Sequence, residues 1–262
     1  MIIKWLHLFY ERRIAVPIDA NALMLDVGCG EKPHWRADVL VDKFLDASHG
    51  KQRNTGGDVK ALAPLFESPL ESLPFRDKAF DYVYCSHVLE HVTDPKAAIA
   101  ELMRVGKRGY IEVPFVGIQK IYDQETHLWY CDRQENAITF NAKERFTYDR
   151  DIERFLDLGP LKPFAFLMNF YPEAAMMRLY WSEESPIIAN VNGSPNLALA
   201  IPNAEANGSG GSRIWDSIRK TLRFMFFWKV RREPITFNSV VKPEYRKPVD
   251  EVLRPDVYRV AQ

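Results

Sequence analysis

Residues 25–33 read Leu25-Asp26-Val27-Gly28-Cys29-Gly30-Glu31-Lys32-Pro33, and this stretch decides the fold. A short apolar run, Leu23 to Val27, carries an acid near its end and stops at a glycine turn. A buried strand that ends this way leaves room for a ligand at the carboxyl edge of a parallel sheet. Gly28 and Gly30 remove side chains, so backbone and ligand can approach closely. A glycine pair alone also serves as a plain strand-to-helix turn, so the rest of the chain has to decide.

Working outward, the same pattern recurs. Val39 to Val41 is a second apolar run, closed by Asp42, sixteen residues past Asp26. A carboxylate at that point can accept hydrogen bonds from a ribose diol. Weaker, around Leu65-Phe66, is a third run; Phe80 to Cys85 and Tyr110 to Phe115 are a fourth and fifth. Between the last two, Asp94 predicts an N-cap and Pro95 a first helical position, with Ala97, Ala98, Leu102 and Val105 lining one face and Gly106 and Gly109 ending the helix. Buried runs separated by such segments predict an α/β fold, a parallel sheet with helices on its faces. Only residues 28–38 separate the first two runs. A crossover with a full helix needs about ten to twelve residues, so this one is predicted to shrink to a turn near Pro33.

Four stretches together resemble the class I S-adenosylmethionine-dependent methyltransferases, in the branch called type 11. They are residues 25–30, Val41-Asp42, the run from Leu70-Glu71-Ser72-Leu73-Pro74-Phe75 to Phe80-Asp81, and Ser86-His87-Val88-Leu89-Glu90-His91-Val92. The resemblance spans residues 20–115 and implies a Rossmann-like, parallel-rich sheet with helices on both faces and S-adenosylmethionine as cofactor. It implies that Gly28, Cys29 and Gly30 face the methionine part and that Asp26 reaches the amino group. By the same resemblance Asp42, with Lys43 beside it, sits at the ribose, Leu70-Glu71 lies beside the adenine, and Ser86-His87 follow the fourth strand along the site. Two positions depart from the family pattern. A further glycine often follows Gly30, where this chain has Glu31-Lys32-Pro33, and the acid that recognises the adenine amino group aligns with Pro69. The adenine is then to be held by packing, by backbone or by another residue, for which Asp58 and Glu71 are candidates. A dinucleotide-binding dehydrogenase is the poorer match, because its third fingerprint glycine would fall at Pro33.

Methyl transfer requires the acceptor to be aligned with the methyl group, and a base where a hydroxyl must lose its proton. His127, in Thr126-His127-Leu128-Trp129-Tyr130, follows the fifth strand and is the first candidate; His87 is the second. Either can instead be structural, His127 pinning a loop and His87 shaping the pocket. His91 reads as a structural hydrogen-bonder. Cys29, Cys85 and Cys131 read as small buried residues in no metal-ligand spacing, and no metal is expected.

The remainder divides the chain into a methyltransferase domain over 1–202, with a core over 15–160 and a substrate-covering region over 116–202. A Gly/Ser-rich linker over 203–212 and a 213–262 tail complete it. Residues 2–14, 148–158 and 164–180 predict helices, 127–141 a hairpin turning at 132–136, and 187–192 with 197–201 a second strand pair. Residues 213–232 hold seven basic residues against Asp216, with apolar positions at helical spacing. Such a basic amphipathic helix can lie on an anionic membrane surface or dock on its own domain. Prolines 234, 243, 248 and 255 predict an extended end, loosely ordered.

Composition bounds the function. With 47% hydrophobic and 27% charged residues the chain is an ordinary globular protein, and thirty-five basic residues cancel thirty-five acidic ones, which removes the electrostatic case for nucleic acid. A sparse, odd cysteine set and no recognisable signal peptide predict a cytoplasmic protein, with peripheral membrane contact through 213–232 as the added expectation. The partner expected is a small-molecule or glycan acceptor; oligomeric state is not legible. The rival expectation is a non-catalytic binding or scaffold protein that keeps the fold.

Overall fold

The computed structural model describes residues 16–46, 49, 59–121, 123–144, 175–200, 217–218, 220–222, 225 and 233–260. The helices expected over 2–14 and 148–158, Asp58, and the linker over 203–212 lie outside these residues. Of the basic segment 213–232, the six described residues are helical.

Strands β1 (Met24–Val27), β2 (Val39–Asp42), β3 (Leu65–Glu67), β4 (Tyr82–Ser86) and β5 (Arg108–Pro114) form at the five apolar runs. The first two are buried at every residue, which is why they read as continuous apolar runs rather than as alternation. Between β4 and β5 lies helix α1 (Pro95–Val105). Asp94 caps it by accepting from the Lys96 and Ala97 amides, each at 3.0 Å. A short helix α2 (Val116–Ile121) follows β5. Strands β6 (Trp129–Gln134) and β7 (Ala137–Ala142) make the expected hairpin, with the turn tightened to Glu135-Asn136.

Strands β8 (Met176–Ser182), β9 (Ile188–Asn192) and β10 (Val257–Arg259) and helix α3 (Phe237–Val240) complete the described elements. The larger sheet runs β10-β3-β2-β1-β4-β5-β8, parallel from β10 to β5 and antiparallel at β8. Strand order reverses at β1, so the carboxyl ends of β1 and β4 flank the switch point where such sheets bind ligands. A smaller sheet, β6-β7-β9, packs β9 against α1.

Three expectations are corrected. Residues 176–182 are a strand, not the end of a helix: Met177, Leu179 and Trp181 are buried while Tyr180 is exposed, a period of two that Pro172 upstream is consistent with. Residues 197–200 form a 3-10 turn rather than a strand, because the Asn196 side chain accepts from the Ala198 amide and bends the chain. Residues 233–260 are not a loose end. Phe237, Val240, Val241 and Leu253 join the main core, and the rings of Phe66, Phe237 and Tyr258 pack against one another in a three-membered cluster. The prolines serve turns there, while β10 covers the β3 edge. No helix among the described residues is long and apolar enough to cross a membrane.

Candidate functional site

The carboxyl edge at the switch point is built from backbone tied down by buried acids. After β1 the chain turns left-handed at Gly28 (φ +66) and Gly30 (φ +50), a conformation that costs other residues energy. The Gly28 amide donates to the Val41 carbonyl at 2.8 Å, stitching the turn to β2. Asp42, at the end of β2, accepts from the Gly30 amide through Oδ2 and from the Phe44 amide through Oδ1, both at 2.9 Å. Its carboxylate thereby holds the glycine loop open at the sheet edge. A carboxylate has about four acceptor positions, so an acid that ties a loop can also face a diol. Lys43 points outward, with its ammonium 5.2 Å from the Phe44 ring.

The shortened crossover has no helix. Asp26, 3% exposed, accepts from the His34 amide at 2.7 Å, and the His34 carbonyl accepts from Ala37 in a single turn. Arg36 pairs with Asp38 at 2.6 Å in the interior and donates to the carbonyls of Asp19, Ala20 and Ala22. Polar bonds replace the helix that eleven residues cannot accommodate. Cys29 is buried beside this crossover.

At the third strand, the Ser68 amide donates to the Asp42 carbonyl and Pro69 leads into a 3-10 turn over Leu70–Ser72. Glu71 Oε1 accepts from both the amide and the hydroxyl of Thr93 at 2.9 Å, which anchors the loop before α1. Leu70 is buried. The sequence reading placed these residues beside an adenine; their geometry shows a fixed loop at the same edge.

The end of β4 carries the densest chemistry. His87 takes a positive φ of 57°, and its ring lies between two fully buried carboxylates: Nδ1 is 3.3 Å from Glu90 Oε1 and Nε2 is 3.2 Å from Glu112 Oε1. Burial alone would depress the imidazole, but the two carboxylates outweigh it and raise its pKa to about 9. Glu112 has further partners in Ser86 Oγ at 3.0 Å and the Tyr110 hydroxyl at 2.5 Å. Burial would raise Glu90, yet the surrounding imidazoles of His87, His91 and His127 bring it down to about 2.

His91 donates through Nδ1 to the Thr126 carbonyl at 3.0 Å, the structural bond expected of it. His127 meets the His91 ring edge-on, 4.8 Å between centroids. It is buried, and burial together with the neighbouring His91 lowers its pKa to about 3. Gln119 fixes its tautomer. The Gln119 oxygen accepts from the Cys131 amide, so its nitrogen is the donor to the Trp129 carbonyl and, at 3.1 Å, to His127 Nδ1. The neutral ring therefore carries its proton on Nε2 and presents a donor. Cys85 and Cys131 are free thiols that burial holds well above the usual range, as inert small residues should be.

The structure thus brings Gly28, Cys29, Gly30 and Asp42 to one edge, with Asp26 beneath it, and puts Ser86 and His87 on the neighbouring strand end. His127 joins them from the start of β6 through His91. Sequence reasoning missed Glu90 and Glu112. Glu90 was visible as the acid of His87-Val88-Leu89-Glu90-His91; Glu112 was hidden in the apolar fifth run.

Residues 25–111 match the family model described as "Methyltransferase domain". The chain is 33% identical over 107 residues to the demethylmenaquinone methyltransferase of Renibacterium salmoninarum, covering 40% of this chain and 44% of that protein. It is 36% identical over 91 residues to a ubiquinone/menaquinone biosynthesis C-methyltransferase of Xylella fastidiosa, covering 35% of this chain and 27% of that protein. The chain thus spans less than half the length of these curated relatives. Among solved structures, the [4+2]-cyclase SpnF overlaps 42% of this chain and 43% of its own at 23% identity, with a TM-score of 0.31.

Proposed function

We propose that this chain, a class I S-adenosylmethionine-dependent methyltransferase of the type 11 branch over residues 25–111, methylates a small-molecule acceptor at the carboxyl edge of β1 and β4. The observation that carries the reading is the Gly28–Gly30 loop, held open at the sheet's switch point by Asp42. The fit to the cofactor rests on that loop. The left-handed turns at Gly28 and Gly30 bring the loop's backbone to the sheet edge, with Val88 filling the space beside Gly28, and a buried acid at the end of the next strand suits a ribose diol. S-adenosylmethionine supplies an activated methyl group, so the protein's task is to bind, orient and exclude water.

In this reading Gly28, Cys29, Gly30 and Lys43 line the cofactor's methionine and ribose side, with Asp42 at the ribose. Asp26 acts through the crossover it anchors at His34. Leu70 and Glu71 border the adenine, where Pro69 offers neither a side-chain acceptor nor a backbone donor. Ser86 and His87 lie on the acceptor side. His127, held as an N–H donor by Gln119, is better suited to donate to an acceptor oxygen than to remove its proton.

The curated relatives' names point to a quinone-type acceptor, which we carry over as part of the proposal. The test is transfer of radiolabelled methyl from S-adenosylmethionine to reduced demethylmenaquinone, with a phenol and glycan panel alongside. Label in any acceptor, lost in Asp42→Ala, supports the reading. Tight cofactor binding with no transfer across the panel favours a non-catalytic protein on the same fold. Peripheral membrane contact through 213–232 belongs to the same proposal, and its test is vesicle co-sedimentation of the full chain against one ending at Ala206.

A further inference from the structure

Glu90 is the anomaly of the site. It is fully buried, and no donor is aligned in a hydrogen bond with either carboxylate oxygen. The His87 contact at 3.3 Å is an ion pair without that alignment. Glu112, equally buried, differs: Ser86 and Tyr110 both donate to it. The one imidazole of His87 is shared between the Glu90 and Glu112 carboxylates, so a single cation faces two buried negative charges and one is left to be balanced.

A second acceptor faces the first. The Thr126 carbonyl can only accept, so His91 Nδ1 carries the proton of the neutral ring and Nε2 carries a lone pair. That nitrogen lies 3.9 Å from Glu90 Oε1. A buried carboxylate oxygen and a partly exposed imidazole nitrogen face each other, the latter oriented by a backbone carbonyl on its far ring nitrogen. This is the outer-shell arrangement that orients metal-ligating histidines. Ligands at about 2.1 Å from a common ion stand about 3.4 Å apart at a tetrahedral angle, so one divalent ion bridges the 3.9 Å gap once the partly exposed His91 ring moves in by about half an ångström.

We infer that Glu90 and His91 hold a divalent cation of the first transition row, Mn2+ or Zn2+, between Oε1 and Nε2. The mixed oxygen and imidazole donors fit that class. His127 completes the site without ligating. The three groups' ligand atoms lie within 4.8 Å of one another, but Gln119 leaves His127 with an N–H rather than a lone pair. It donates to the oxygen that the cation carries; on the methyltransferase reading, that oxygen is a hydroxyl of the acceptor. The way in passes His87 and His91, whose side chains are 41% and 20% exposed.

The experiment titrates metal-stripped full-length protein with MnCl2, following free Mn2+ by electron paramagnetic resonance, with ZnCl2 as competitor. We expect one saturable site per chain, weakened at least ~100-fold in Glu90→Gln and in His91→Asn, and retained within ~10-fold in His127→Asn. S-adenosylhomocysteine titration of each variant reports folding independently of the metal; if Glu90→Gln fails it, His91→Asn, at a partly exposed side chain, decides. No saturable Mn2+ or Zn2+ binding by the wild-type protein, or unchanged binding in both ligand variants, overturns the inference. Loss in His127→Asn as large as in Glu90→Gln overturns the outer role of His127. Metal binding without S-adenosylhomocysteine binding would keep the cation site and remove the methyltransferase reading.

Discussion

Val88 closes on Gly28 so tightly that a Cβ placed on Gly28 would stand 2.2 Å from Val88 Cγ2. The loop after β4 therefore packs against the loop after β1, and the two halves of the switch point are fitted to each other. Gly28→Ala has to move Val88 and also hold a side chain at φ +66. We expect a loss of about 2–4 kcal/mol of stability from overpacking and backbone strain together. Urea unfolding measures it. Adding Val88→Ala should restore the packing part and leave the backbone part; full restoration would show that the left-handed turn costs nothing.

Asp42 ties the glycine loop and is proposed to meet the ribose, so its variants should split these roles. Asp42→Asn turns one acceptor into a donor that faces the amide of Gly30 or Phe44. We expect it to cost about 1–3 kcal/mol in stability and to weaken S-adenosylmethionine by a similar amount. Asp42→Ala should weaken the cofactor by about 1–3 kcal/mol as well. Melting curves and calorimetry on both variants check this, and a variant with full affinity for the cofactor removes Asp42 from the ribose.

Lys143 and Asp123 form a fully buried ion pair at 2.7 Å, and Lys143 also donates to the Gln124 carbonyl. Burial pulls the Lys143 pKa down while Asp123 opposes it. Lys143→Met leaves the buried Asp123 carboxylate without its balancing cation and should cost about 3–5 kcal/mol. The double variant Lys143→Met/Asp123→Leu should recover most of that, because similar-sized apolar residues avoid the desolvation cost. Chemical denaturation of the three proteins tests the pair; a double variant as unstable as the single one would contradict it.

Phe237 sits in the same aromatic cluster as Phe66, Phe75 and Phe80. Phe237→Ala should therefore destabilise the whole fold by about 3–5 kcal/mol, and unfolding should stay a single transition. A mild loss confined to the chain end would show that residues 233–260 dock independently.

Strands β1 to β5 were legible because they are short apolar runs between polar segments, and α1 because Asp94, Pro95 and Gly106 punctuate it. The loop at the switch point was legible for the same reason, since Gly28, Gly30 and Asp42 are turn and strand-end residues with local signatures. What escaped was long-range. The alternation in residues 176–182 takes effect only once β5 is alongside, and proline-rich residues 233–260 are placed by distant partners, Phe66, β3 and the backbone at Pro74 and Arg76. Gln119 converts His127 from a candidate base into a donor across eight residues, and no spacing rule announces that. Glu90 shows its significance only when three imidazoles surround it.

The most direct test of the account is calorimetric titration of the full chain with S-adenosylmethionine and S-adenosylhomocysteine, with NAD as control. The account predicts saturable one-to-one binding of the first two, lost or weakened in Asp42→Ala, and none of NAD. Binding of NAD, or of none of the three, would contradict it and leave the Gly28–Gly30 loop as a turn without a ligand.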